Sequence, residues 1–98
     1  MKIDNSLWLG HLDLARIFGK QGKLKEAHYH AQLAHELNQE VQDVHLAYYN
    51  ACVNIRDYAA ALTELDKFVK LYPDSEVAKK MQAIRDNLAK EAAAATKH

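Results

Sequence analysis

Apolar residues recur along this chain at steps of three and four, the spacing of one face of an α-helix. Leu7, Leu14 and Phe18, widened by Leu12 and Ile17, predict a first helix from a cap at Asn5 or Ser6 to about Lys20. Gly19 and Gly22 break it. Leu24, Ala27, Ala31, Ala34 and Leu37 then predict a second helix over about Lys23 to Leu37. A third follows from about Val41 to Ile55, less cleanly striped, with Val44, Leu46, Tyr48, Ala51 and Cys52 as its apolar content. Asp57 suits the N-cap of a fourth, which carries Ala61, Leu62, Leu65, Phe68, Val69 and Leu71 and stops before Pro73, because the residue preceding a proline is pushed out of the helical region. Asp74 or Ser75 caps a fifth, striped by Val77, Met81, Ile84 and Leu88. Large apolar residues then run out, so 93–98 is expected to be a disordered tail.

The helices come in pairs that repeat. At an offset of 34, Leu24 falls on Tyr58, Ala27 on Ala61, Ala31 on Leu65, Ala34 on Phe68 and Leu37 on Leu71. A fixed period of this size marks stacked helix-turn-helix units, whose architecture suits binding surfaces. The expected fold class is therefore all-α: antiparallel helix hairpins in one domain over 1–98, with units at 5–37 and 41–73 and a capping helix at 74–92. Lys79, Lys80, Gln82, Arg85, Asp86 and Asn87 give that cap the polar outer side a terminal element needs.

The second unit, with Tyr58, Ala61, Leu62, Leu65, Phe68, Leu71 and the closing Pro73, resembles a tetratricopeptide repeat. The first unit follows with Trp8, Leu14, Ala15, Phe18, Gly22, Leu24, Ala27, Ala31, Ala34 and Leu37. Small residues at the crossing points let antiparallel helices approach closely while larger ones interlock around them. Three positions depart from the pattern. Gln39 replaces the closing proline of the first unit, Arg56 stands in the place of Gly22, and Tyr49 in the place of Ala15. Either the third helix tilts around Tyr49, or Ala51 and Cys52 slip in as its small pair.

The resemblance implies a protein or peptide partner held on the first helix of each hairpin. Carried over by position, the groove is Leu9, Leu12, Asp13 and Arg16 with Asp43, Leu46, Ala47, Asn50 and Asn54. Leucines offer apolar contact, Arg16 can pair with a carboxylate, and Asn50 can both donate to and accept from a peptide backbone. Some family members clamp acidic C-terminal tails with basic residues. Leu12, Ala47 and Ala78 occupy the corresponding positions here, so that specificity is not expected. Leu7, Trp8 and Leu9 cannot all face one neighbouring helix. The resulting open side suits a preceding helix, a second copy in a homodimer built on Leu7 and Trp8, or, for Leu9, the groove.

Charge and candidate chemistry narrow the field. Thirteen basic residues balance thirteen acidic ones among 98. The halves split after Tyr49 are equally mixed, which argues against a nucleic-acid face or a membrane-surface helix. No apolar run approaches the roughly 20 residues of a membrane span, and the first six residues lack the apolar stretch of a secretory signal, so a cytoplasmic location is expected for the chain as it stands. Six histidines invite a metal hypothesis. Their spacing gives no His-Glu-x-x-His, Cys52 has no cysteine companion, His28 and His35 share a face, and His30 is rotated from them. No nucleophile, base and orienting group come together either. Neither enzyme activity, metal nor cofactor is expected.

Overall fold

The computed structural model describes residues 7–95, and among them every regular element is an α-helix, without strands. Five helices follow in order: α1 (Leu7–Lys20), α2 (Leu24–Leu37), α3 (Gln42–Asn54), α4 (Tyr58–Leu71) and α5 (Glu76–Ala95). Each packs on the next, and α1 also touches α3. The expected cap at Asn5 or Ser6 lies outside the described residues. Asp57 does cap α4, its carboxylate accepting from Ala60 N at 3.3 Å, and Ser75 Oγ accepts from Val77 N at 3.2 Å where α5 begins. α4 ends at Leu71, with Tyr72 leaving the helical region just before Pro73. α5 continues through Ala95, so the segment expected to be a tail from residue 93 starts as helix, sustained by a run of strong helix formers.

The turns after α1 and α3 are built alike. Lys23 N donates to Phe18 O and Gly22 N to Gly19 O; 34 positions later Asp57 N donates to Cys52 O and Arg56 N to Val53 O. This is the Schellman closure, which requires a left-handed residue at its corner. Gly22 has φ 76 and Arg56 φ 64. Arginine has a Cβ that this conformation disfavours, so Arg56→Gly is expected to stabilise the domain by about 0.5–1 kcal/mol, read as a rise in the urea midpoint. An unchanged or lower midpoint would mean that the Arg56 side chain contributes more than its backbone costs.

The buried residues form three clusters bordered by shared partly buried residues, Ala47 between two of them and Tyr48 between two. Leu12, Ala34 and Val44 are buried together with Trp8, Val41 and Ala47 against them, and Ala15, Ala31 and Ala51 form an alanine layer where α1, α2 and α3 meet. The larger cluster joins Tyr49, Cys52, Ala61, Leu65 and Phe68 to Ala78, Met81 and Leu88 of α5. Tyr49 thus sits in the α3–α5 core beside the small residues Cys52, Ala61 and Ala78. Ala51 faces the other way, toward the first hairpin. Burial pushes the Cys52 thiol up to about 11, the Asp57 and Glu64 charges acting in the same direction and the Tyr48 hydrogen bond opposing them. Cys52 is therefore a protonated packing residue at neutral pH.

Two helices are rotated from the expected stripe. α1 buries Leu12 and Ala15 and packs Trp8 inward, leaving Leu7, Leu14 and Ile17 exposed. The tight approach of Ala15 to Ala31 and Ala51 selects the small-residue side of α1, and the bulkier stripe is turned out. α5 buries Ala78, Met81 and Leu88 and exposes Ile84. On the same helix Arg85 grips Asp66 of α4 with two bonds of 2.8 and 3.1 Å. Among the described residues no helix is long and apolar enough to cross a membrane.

Candidate functional site

A cleft of about 370 Å³ opens between α1 and α3. Asp43, Leu46, Ala47, Asn50, Ala51 and Asn54 line it from α3, at steps of three and one that keep them on one helix face. Ala15, Arg16 and Gly19 line it from α1, and Ala27 closes its floor from α2. Its depth comes from small residues. Where Ala15, Gly19, Ala47 and Ala51 stand, larger side chains would fill it. The Arg16 guanidinium reaches Asp43 across the rim at 3.7 Å. Both side chains are more than half exposed, and such pairs contribute little to stability. A partner carboxylate can therefore take Arg16 over from Asp43 at small cost. Asn50 and Asn54 stay exposed, with amide donors and acceptors available.

Of the expected groove residues, Arg16, Asp43, Leu46, Ala47, Asn50 and Asn54 come together in this cleft. Leu12 does not. It is 2% exposed and packs beneath the cleft against Ala34 and Val44, so its place in the groove is corrected to the core. Leu9 and Asp13 are exposed on α1 but do not line the cleft. Trp8, singled out with Leu7 for self-association, is partly buried against the Leu12, Ala34 and Val44 cluster, whereas Leu7 stays out with Leu14 and Ile17.

The histidines pair in ways that sequence spacing does not suggest. His11 and His30 meet at 2.9 Å between their Nδ1 atoms, their rings stacked, with Phe18 also stacked on His30. Burial, helped by His11, lowers the proton affinity of His30. In the second hairpin, His45 Nδ1 lies 2.7 Å from Glu64 Oε1, and His45 Nε2 lies 2.7 Å from the Gln39 carbonyl oxygen. The carbonyl only accepts, so Nε2 carries hydrogen and donates to it. The contact to Glu64 then holds one proton between nitrogen and oxygen. His35 Nε2 comes within 2.9 Å of the same Oε1 without forming an aligned hydrogen bond. Burial alone pushes Glu64 up, but the His45 hydrogen bond and the electrostatic influence of both nearby imidazoles outweigh it and hold the carboxyl below its usual range. The His35 ring stacks on Tyr48, whose hydroxyl is pushed up to about 12, chiefly by burial.

Glu64 was absent from the residues singled out in the sequence, yet a signal was present. It shares the stripe of Ala61, Leu65 and Phe68, the buried face of α4, where a carboxylate needs a partner. No protein-family model, curated protein or solved structure matches this chain.

Proposed function

We propose that this chain is a tetratricopeptide-like module that binds a peptide or protein segment in the α1–α3 cleft. The cleft carries the reading: it gathers six of the nine residues assigned to a groove by position, and it offers apolar, cationic and amide groups side by side. The repeat supports it. The two Schellman turns stand 34 residues apart, and so do the interhelical pairs His11–His30 and His45–Glu64, each spanning 19 residues. A solenoid of equivalent hairpins has this property, and in such a stack the first helices share one surface. α5 then serves as the terminal cap, its polar residues outward.

The test uses peptides selected on the immobilised domain from a random display library. Arg16→Ala combined with Asn50→Ala is expected to reduce binding of the selected peptides by at least about 10-fold, the equivalent of roughly 1.4 kcal/mol, with the circular dichroism spectrum unchanged. Amide shifts on binding should map to α1 and α3. Peptides that shift α2 and α4 instead, or bind the double variant equally, would overturn the assignment.

A second reading, self-association, is favoured by the exposed Leu7, Leu14 and Ile17 on one side of α1. Light scattering across a concentration series separates it from the first: a dimer that Leu14→Lys dissociates supports it, and a concentration-independent monomer removes it.

A further inference from the structure

His35 on α2, His45 on α3 and Glu64 on α4 each bring one ligand atom to a common point, all within 4.8 Å of one another. His45 and Glu64 are almost wholly buried, and His35 forms the wall toward solvent, its side chain 12% exposed. The donor set is two imidazole nitrogens and one carboxylate oxygen. Hard ions such as Mg²⁺ and Ca²⁺ need a shell of oxygens that is not built here, whereas borderline first-row ions accept this mixture. His45 is arranged as a ligating histidine is: Nε2–H donates to the Gln39 carbonyl, which fixes the ring and leaves Nδ1 facing the cluster. His35 Nε2 faces the cluster with no aligned hydrogen bond to satisfy it. A cleft of about 250 Å³, lined by Gln32, Tyr48, Thr63 and Lys67 among others, reaches His35 and Glu64 from outside. It supplies both a route for an ion and room for a fourth, non-protein ligand.

We infer that His35, His45 and Glu64 form a binding site for one divalent first-row transition ion, with Zn²⁺ best matched by two imidazoles and a carboxylate. Ligand atoms on a tetrahedral zinc stand ~3.3 Å apart, given metal–ligand distances of 2.0–2.2 Å. The observed 2.7 and 2.9 Å separations therefore open by about half an ångström as the ion replaces the proton that His45 and Glu64 share. The ion would tie three helices from two hairpins together, a role independent of what the α1–α3 cleft binds.

The experiment titrates chelator-treated protein with zinc chloride alone, and with cobalt(II) as a spectroscopic probe. One equivalent of zinc is expected to bind, and at 100 times its Kd to raise Tm by about 10 °C or more. Cobalt should give the visible absorption of a four-coordinate nitrogen and oxygen site. His35→Ala, at the solvent wall of the site, is expected to weaken zinc binding by at least about 100-fold, beyond the loss typical of an outer partner. The His11→Ala, His30→Ala double variant should bind zinc as the parent does. Independently of any variant, zinc should shift the ring resonances of His35 and His45 and leave those of His11 and His30 in place. No zinc-dependent rise in Tm, undiminished binding by His35→Ala, or ring shifts confined to His11 and His30 would each overturn the site.

Discussion

Phe68→Ala is expected to lower the unfolding free energy by about 3–5 kcal/mol and Tm by on the order of 20 °C. Phe68 is fully buried where α3, α4 and α5 meet, and its ring lies against that of Tyr72 with centroids 4.9 Å apart. Truncation removes the apolar surface and leaves a void, because helices fixed by neighbouring contacts collapse only in part. A domain of this size has a total stability of about 5–15 kcal/mol, so the loss is a large fraction of it. Leu71, three residues later on the same helix, is 55% exposed. Leu71→Ala should change stability by no more than about 0.5 kcal/mol. Urea unfolding followed by helical circular dichroism compares the two. Equal losses would mean that α4 is rotated from the orientation described, and with it the attachment of α5.

That contrast marks the limit of what sequence periodicity conveys. The helices and their ends were legible because their causes are local: Asp57 capping α4, Gly22 turning left-handed, Pro73 ending α4. At the offset of 34 Arg56 is a departure in residue type, yet the backbone keeps the equivalence of the two turns, because Arg56 takes the left-handed corner that Gly22 takes. Helix rotation was less legible wherever a helix had two apolar sides. On α1 the expected stripe divides between two sides, Leu12 turning inward with Ala15 and Leu7, Leu14 and Ile17 turning outward. The inward side is set by how closely α2 and α3 approach, which is a tertiary quantity. The same holds for Ile84 against Ala78 on α5. Around the cleft, the α3 residues assigned by position, Asp43, Leu46, Ala47, Asn50 and Asn54, share one helix face and line it together, whereas α1 contributes only Arg16 of the four residues expected. The histidine contacts could not be read from spacing within any one helix, since each joins different helices. What the sequence did hold was a polar intrusion, Glu64 on an otherwise apolar stripe.

That intrusion leads to the second large effect. Glu64→Leu, measured with chelator present so that no ion contributes, is expected to cost about 3–5 kcal/mol, because it leaves the buried Nδ1 of His45, whose other nitrogen donates to Gln39, facing a side chain that can neither accept nor supply the proton the pair shares. His45 is 2% exposed, and its Nδ1 has Glu64 as its bonding partner at 2.7 Å. His45→Leu should cost a similar amount by the converse route: the buried carboxylate keeps only the poorly aligned contact with His35. The double variant is the informative one. With both groups replaced by leucine, neither desolvated polar group is left without its counterpart, and apolar substitutes of similar volume often match or exceed a buried pair. It should therefore lie well above the sum of the single losses, with a coupling of about 0.5–3 kcal/mol in a double-mutant cycle. Simple additivity would show that His45 and Glu64 act separately. A double variant less stable than either single one would mean that the polar pair specifies how α3 and α4 seat against each other, a role that apolar packing cannot take over.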